Sequence, residues 1–319
     1  MNRRDFVQWI LAAGSAGLVR QQSPHNLDEL PRRAFGRTNE DVTMLGLGGW
    51  HIGEMNQRDA QEAIEASIEG GIRFFDSAES YQNGGSERYL GEFLVPKYRD
   101  QVYLMSKTTA KTARTARQHL EQTLKRLKTD QMDLWQMHAI TSPQDVDQRI
   151  NAGVLDVMEQ ALAEGKTRHI GFTGHTDPAA HQHLLELTDI FHCVQCPVNV
   201  ADVNYKSFTR TVMPIVIERN MGLIAMKTLA NGGFFGGSSH GKHGDNPLVI
   251  PDRISIREAI HFVWSLPVSV IVTGTDNLEQ LNEKIALARS FSHLSEEERL
   301  ALIERVADMA GRQVEFYKA

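Results

Sequence analysis

Residues 74–91 read FFDSAESYQNGGSERYLG. An apolar run stops at Asp76, Tyr81 follows five residues later, and a glycine pair leads into Ser86-Glu87, which opens a helix. A strand that ends in a carboxylate with a tyrosine one short loop away has two readings. It is an ordinary strand-to-helix connection with polar decoration, or it is half of a reaction site. The ends of the neighbouring strands decide between them.

Outward from this stretch, strands and amphipathic helices alternate. A short hairpin and a first buried strand near 44–48 come before it. Ala60, Ala63, Ile64 and Ile68 recur at helical spacing until Gly70-Gly71 stops the helix. IRFFD is the second strand and SERYLGEFL a short helix. QVYLMSK, MDLWQMH, RHIGFT, FHCVQCPV, GLIAM and VSVIVTG read as strands three to eight, separated by helices over 113–128, 153–164, 178–187, 209–220 and 254–265. A helix over 277–289 closes the series, and a terminal helix opens with the capping box Ser295-x-x-Glu298. Eight strand–helix units in succession predict an α/β fold, a (β/α)8 TIM barrel with an N-terminal hairpin and an extra C-terminal helix. GLGGW has the wrong spacing for G-x-G-x-x-G, and no helix is expected directly after it, so a doubly wound dinucleotide-binding sheet is disfavoured. The one long irregular segment, 230–252, holds five glycines within 232–241 and reads as a lid over a ligand.

In a barrel the loops after the strands meet at one face, and chemistry sits there. The strand ends supply Gly48-Gly49-Trp50-His51, then Asp76 with Tyr81 in the loop, then Lys107, then His138. Thr173-Gly174-His175, Gln195, Met226-Lys227 and Gly274-Thr275 follow on strands five to eight. Singly, each has a bland reading as a solvated or packing residue. Asp, Tyr, Lys and His on three consecutive strand ends fit one task together. A free tyrosine titrates near ~10 and gives up its proton reluctantly at neutral pH. An ammonium beside it favours the phenolate, an aspartate can hold that ammonium, and a histidine can orient an acceptor oxygen. The set is a tuned general acid facing a carbonyl oxygen. It lacks an electron source, so a cofactor must bring the hydride. Glu79 has no part in this scheme and reads as a solvated loop residue.

These residues carry a family resemblance. Gly46-x-Gly48 with Trp50, Asp76-x-Ala78-x-x-Tyr81, Ser86-Glu87 before Leu90-Gly91, Ser106-Lys107, Asp133-Leu134 to His138, Gln195, and Gly274-Thr275 with Gln280-Leu281-x-Glu283 resemble the aldo-keto reductases. The likeness covers nearly all of the chain after its leader. GFTGH and IAMKTLANGG look most like a bacterial subgroup of predicted oxidoreductases, some of which carry a C-terminal ferredoxin-like segment. No further cysteines follow in this chain, so the iron–sulfur tail is expected to be absent.

The resemblance implies reduction of aldehydes or ketones to alcohols by a nicotinamide dinucleotide, NADP(H) being expected over NAD(H). It makes Tyr81 the proton donor, Lys107 and Asp76 its tuning pair, and His138 the residue that orients the carbonyl. Gln195 would bind the carboxamide, with Gly48 and Thr173 beside it. Met226 takes the place of a stacking tyrosine on the nicotinamide, and Lys227 could reach the pyrophosphate. Gly274, Thr275, Gln280 and Glu283 would line the adenosine end, and Lys284 is the candidate for a 2′-phosphate. Trp50, His51 and Phe234 would shape the substrate pocket. Two other classes stay open: a non-enzymatic nicotinamide-binding regulatory barrel, and a metal-dependent barrel hydrolase built on His51, His138, His169 and His175 with Asp76.

Composition bounds the partners. The 319 residues are 41% hydrophobic and 23% charged, with a net charge of −6 and no basic stripe, so no nucleic-acid partner is expected. No run of ~18 apolar residues spans a membrane. Cys193 and Cys196 are the only cysteines, which excludes a disulfide framework. They lie three apart on a strand and point to opposite faces, so two buried apolar cysteines are expected rather than a redox pair or a zinc half-site. Residues 1–22 resemble a twin-arginine export signal, Asn2-Arg3-Arg4-Asp5-Phe6-Val7-Gln8 following that pattern. The organisation expected is a signal over 1–22, a linker over 23–31 and a barrel with its helical tail over 32–319. The signal implies export of the folded protein by the twin-arginine machinery to the periplasm, or a cytoplasmic location if the leader does not function.

Overall fold

Inward and outward side chains alternate along eight short parallel strands, and that alternation builds both the core and the site. The computed structural model describes residues 21–22, 29–235, 248–249 and 253–318. Residues 1–20 of the signal reading over 1–22, residues 23–28 of the linker reading over 23–31, and most of the lid reading, 236–247 and 250–252, lie outside the described residues. The strands are β1 (Leu45–Gly48), β2 (Phe74–Asp76), β3 (Tyr103–Thr108), β4 (Met132–Met137), β5 (Thr167–Thr173), β6 (Cys193–Pro197), β7 (Gly222–Met226) and β8 (Val270–Thr273). They close into a barrel in sequence order, β8 pairing with β1. The predicted TIM barrel is the fold observed.

Two apolar layers follow from the period of two. Phe74, Tyr103, Met105, Leu134, Cys193, Ile224, Val270 and Val272 fill the barrel interior. Phe75, Leu104, Trp135, Phe172, Val194, Cys196 and Ala225 face outward and pack under the helices. Cys193 and Cys196 therefore fall on opposite faces, both buried and free. The hairpin strands Arg32–Ala34 and Asp41–Thr43 pair antiparallel. Phe35, fully buried, meets Phe74 and Tyr103 edge-on with ring centroids at 6.1 and 5.4 Å and plugs the lower end of the barrel. Arg33 fastens the hairpin by donating to the carbonyl oxygens of Trp264 and Val268.

Several elements differ from the sequence reading. A short helix, Gly49–Glu54, begins within GLGGW and continues past it. Gly49 makes this possible, because a Cβ there would lie 2.3 Å from the Asp76 carbonyl oxygen. The helix expected over 86–94 is Gly85–Tyr89, then a wider π-type turn over Leu90–Leu94, then Val95–Tyr98, where Pro96 lacks the N–H that would continue the ladder. Pro214 likewise accompanies a break of the helix expected over 209–220 into Phe208–Thr211 and Met213–Glu218. An additional helix, Pro143–Asn151, precedes Val154–Ala163, capped by Ser142, whose side chain accepts from the Asp145 N–H. Among the described residues no helix is long and apolar enough to cross a membrane.

Phe35→Ala would remove the plug and leave a cavity between Phe74 and Tyr103. We expect a loss of about 3–5 kcal/mol in unfolding free energy, measured by urea denaturation.

Candidate active site

Inward-facing positions become polar at the upper end of the barrel. On β2 the alternation that buries Phe74 brings Asp76 inward, and on β3 the same alternation carries Tyr103, Met105 and then Lys107 inward. Lys107 is paired in register with Gln136 on β4, and His138 directly follows that strand. The loop after β2 returns Tyr81 over the opening, because Gln82, Asn83 and Gly84 take left-handed backbone conformations with φ of 46°, 52° and 80°. Glu87, wholly buried at the start of the next helix, accepts from the hydroxyls of Ser106 and Thr123 at 2.7 Å and from Arg126 at 3.0 Å. It ties this helix to β3 beside Lys107.

The ammonium of Lys107 is 1% exposed and has three partners. It forms an ion pair with Asp76, donates to the Ser77 carbonyl oxygen at 2.7 Å and donates to the Tyr81 hydroxyl at 3.1 Å. An ammonium only donates, so the Tyr81 oxygen accepts this bond and its own proton is left for another acceptor. Tyr81 stands edge-on between Trp50, at 5.2 Å, and His138, at 5.7 Å between ring centroids.

Burial lowers the tendency of Lys107 to stay charged, but Asp76 and Tyr81 outweigh it and raise its pKa. Burial pushes the Tyr81 phenol up, and the pull of Lys107 only partly offsets this. Burial, helped by Lys107, holds His138 down to about 3, so its imidazole is neutral at ordinary pH. A neutral imidazole can hydrogen-bond an oxygen but has no acidic proton to give, which leaves Tyr81 as the proton source of the cluster.

Backbone geometry around His138 is held by a buried guanidinium. Ala139 is left-handed, with φ 55°, and Arg149 donates to the carbonyl oxygens of His138 and Ala139 at 2.9 and 3.2 Å. Arg149 is itself gripped by Asp145.

These groups open into a cavity of about 630 Å³, within the usual range for small-molecule sites. Gly48, Trp50, His51, Asp76, Tyr81, Lys107, His138, Thr173, Gln195, Met226, Lys227, Gly274, Gln280 and Lys284 all line it. The structure does not bring Thr275, Glu283 or Phe234 to the lining. The Thr275 hydroxyl donates to the Asn277 carbonyl oxygen at 2.6 Å inside the turn after β8. Phe234 is fully buried in the core, and Phe235 faces the cavity in its stead. The turn Ala230–Phe235, with left-handed Asn231 and Gly232, sets which of the two phenylalanines turns inward. Glu79 is not solvated: it is 7% exposed, and its carboxylate accepts from the backbone and hydroxyl of Thr109. His51, His138 and His175 line this cavity with Asp76 and His169 does not, and among the described residues no group of three or more His, Cys, Asp or Glu side chains is placed to hold a metal ion.

The sequence reading missed one wall entirely. Phe316 and Tyr317, near the end of the chain, line the cavity. Lys318 anchors them in a buried cluster, its ammonium 2.6 Å from Asp202 and 2.8 Å from Glu315. Asn199 and the Tyr317 hydroxyl also donate to Glu315, and His175 Nδ1 lies 3.0 Å from the Tyr317 carbonyl oxygen. Only the Phe-Tyr-Lys ending hinted at this, and its partners Asp202, Asn199 and His175 lie more than 100 residues earlier.

With this geometry the comparisons agree. The profile described as the aldo/keto reductase family matches residues 44–265. The chain belongs to that family, and it is an NAD(P)-dependent oxidoreductase acting on carbonyl groups. It is similar to methylglyoxal reductase YeaE of Escherichia coli, 31% identical over 199 residues that span 60% of this chain and 67% of the relative. It is also similar to the oxidoreductase YqkF of Bacillus subtilis, 22% identical over 85% of this chain and 95% of the relative. Among solved structures, the holo form of aldo-keto reductase AKR11C1 from Bacillus halodurans shares the fold with a TM-score of 0.72 at 19% identity, covering 87% of this chain and 96% of that one. An aldo-keto reductase from Klebsiella pneumoniae, solved in complex with NADPH, matches with a TM-score of 0.66 at 22% identity over 88% and 95% of the two chains.

Arg149→Met would release the His138–Ala139 backbone and remove the guanidinium partner of Asp145. The expected cost is about 2–4 kcal/mol in urea unfolding.

Proposed function

We propose that the protein reduces aldehydes or ketones to alcohols with NADPH, and that Tyr81 gives the proton. The observation that carries this reading is the three-way bonding of Lys107, which occupies a lone pair of the Tyr81 oxygen and leaves its O–H for a substrate. The cavity suits a nicotinamide dinucleotide. Gln195 lines it with a buried Oε1 that has no hydrogen-bond partner among the described residues, and Thr173 stands beside it on the neighbouring strand. Such an orphaned acceptor matches the N–H of a carboxamide. A bound reduced nicotinamide supplies the hydride to the carbonyl carbon.

The chain's own residues do the rest. His138, neutral, hydrogen-bonds the carbonyl oxygen and orients it. As negative charge develops on that oxygen, Tyr81 passes its proton to it, and Lys107, fixed by Asp76, stabilises the phenolate left behind. Trp50, His51, Phe235 and Tyr317 enclose the substrate end. Tyr81 must be protonated to act, so reduction is constant below its pKa and falls as pH rises through it.

Two buried lysines support a phosphate-bearing cofactor. Burial brings Lys227 down to about 8, and Lys107 adds to the effect. Burial also brings Lys284 down to about 8, and its ammonium donates to the Gly274 carbonyl oxygen at 2.6 Å. An anion beside either one would raise its pKa again. Both lysines line the cavity, and by the family resemblance Lys227 would reach the pyrophosphate and Lys284 the 2′-phosphate, which favours NADPH over NADH. Sequence alone supports two finer readings. One is membership of the bacterial subgroup of predicted oxidoreductases that GFTGH and IAMKTLANGG resemble. The other is twin-arginine export of a barrel over 32–319, through the signal at 1–22 and linker at 23–31, to the periplasm.

Tyr81→Phe is expected to lower kcat for methylglyoxal reduction by at least about 100-fold while NADPH still quenches protein fluorescence with an unchanged Kd. Turnover retained in that variant contradicts the assignment. Lys284→Gln is expected to weaken NADPH binding by about 10-fold or more and leave NADH nearly unchanged. Replacing Arg3 and Arg4 by lysines in the full chain should move the protein from periplasmic to cytoplasmic fractions. An unchanged distribution contradicts the export reading.

A further inference from the structure

The loop after β5 carries an imidazole that the reaction described above does not use. His175 lines the cavity. Its Nδ1 lies 3.0 Å from the Tyr317 carbonyl oxygen, and its ring meets the Tyr317 ring edge-on at 6.0 Å between centroids. A carbonyl oxygen only accepts, so the proton of a neutral imidazole must sit on Nδ1, and Nε2 keeps its lone pair. Burial and the Lys227 ammonium both lower the pKa of His175 and hold the ring neutral. No described residue donates to Nε2, and Lys227 bonds the Asn231 side-chain oxygen at 3.0 Å instead. Nor is Nε2 sealed in the core as both nitrogens of His181 are.

The backbone puts this lone pair at the substrate end. His138 and His175 stand on neighbouring loops, after β4 and β5, and those loops are joined. The Ile140 N–H donates to the Thr173 carbonyl oxygen at 3.0 Å. A Cβ at Gly174 would lie 2.3 Å from the Ile140 carbonyl oxygen, so no side chain can stand there. After Thr173, the next side chain this loop can offer the cavity is therefore His175. Both imidazoles line the same cavity, His138 beside Tyr81 and His175 beside Tyr317. Tyr317 is fixed from behind, because Asn199 donates to its hydroxyl oxygen at 3.0 Å and Lys318 anchors the tail on Asp202. The tail thus selects the tautomer of His175 and closes that side of the cavity.

We propose that His175 is a specificity-determining residue: its Nε2, aimed by the Tyr317 carbonyl, accepts the O–H of a hydroxyl group next to the substrate carbonyl, so that α-hydroxy aldehydes and ketones are preferred. This rests on the reading of the cavity as a carbonyl-reducing site. His138 takes the carbonyl oxygen, and His175, on the adjoining loop, takes the adjacent oxygen. Gln195 and Thr173 are already matched to the cofactor carboxamide, which leaves His175 for the substrate. An aldehyde without the hydroxyl sets an apolar group against Nε2 and strands an acceptor that has lost its water. A substrate with it satisfies that acceptor. Hydride and proton transfer to such a carbonyl give a vicinal diol.

The experiment compares lactaldehyde with propanal, which differ by one hydroxyl, as substrates of the full chain at saturating NADPH. The ratio of their kcat/KM values is measured for wild type, His175→Asn and His175→Gln. Asparagine can still donate to the Tyr317 carbonyl but has nothing at the place of Nε2, and glutamine can return an acceptor there. Wild type is expected to favour lactaldehyde by about 10-fold, with the ratio near one in His175→Asn and partly recovered in His175→Gln. A ratio near one in wild type, or one unmoved in His175→Asn, overturns the proposal. Weakened NADPH binding in His175→Asn with an unmoved ratio assigns the lone pair to the cofactor carboxamide and overturns it as well. If the asparagine variant does not fold, His175→Phe carries the test by the same criterion. A wild type that oxidises NADPH with neither aldehyde nor methylglyoxal contradicts the reductase reading itself. Turnover of both aldehydes with an unmoved ratio removes only the role of His175.

Discussion

The ion pair between Asp76 and Lys107 is the constraint on which the rest of the site depends. Both side chains are almost wholly inaccessible to water. An isolated ammonium at that depth would shed its proton, and an isolated carboxylate would acquire one. Each keeps the other charged, and the remaining donors of Lys107 are spent on Ser77 and Tyr81, so nothing buried on the ammonium is left unpaired. A buried pair of this kind is weak support for stability, because desolvation consumes most of the attraction. Its value lies in direction: a fixed ammonium on one side of a phenol leaves one side for the reaction.

The barrel supplies that direction with little backbone. The same alternation that sends Phe74, Tyr103, Met105 and Leu134 inward brings Asp76, Lys107 and His138 to the open end. Below, aromatic rings and the Phe35 plug seal the interior. Above, apolar packing gives way to groups whose needs are met by each other. Two strained positions lie at this boundary, left-handed Ala139 after β4 and Lys227 after β7. Such conformations cost about 1–2 kcal/mol each and persist where surrounding contacts hold them, as Arg149 holds Ala139.

How much of this the sequence reveals depends on how local each cause is. The eight strands, the inward position of Asp76, Lys107, His138 and Gln195, and the opposite faces of the two cysteines all follow from a period of two. Those are local facts, and they are legible. Glu79 was misjudged because its burial comes from Thr109 and His119, 30 and 40 residues further on. Phe235 rather than Phe234 meets the cavity because a left-handed turn sets the phase of that pair. The wall made by Phe316 and Tyr317 is the least legible part. It rests on Lys318 reaching Asp202, a partner that no nearby residue announces. The helix that begins within GLGGW was missed because a glycine-rich start hides it, although those glycines are what allow its close approach to Asp76.

The central claim is that Asp76 and Lys107 act as one unit upon Tyr81, and a double-mutant cycle measures it most directly. Asp76→Asn, Lys107→Met and the double variant are compared for kcat of carbonyl reduction with NADPH saturating. If the pair is one unit, either single change removes nearly all of its effect, and the double variant is no slower than the slower single one. If the two losses multiply in the double variant, the residues act independently and the account of the site is wrong.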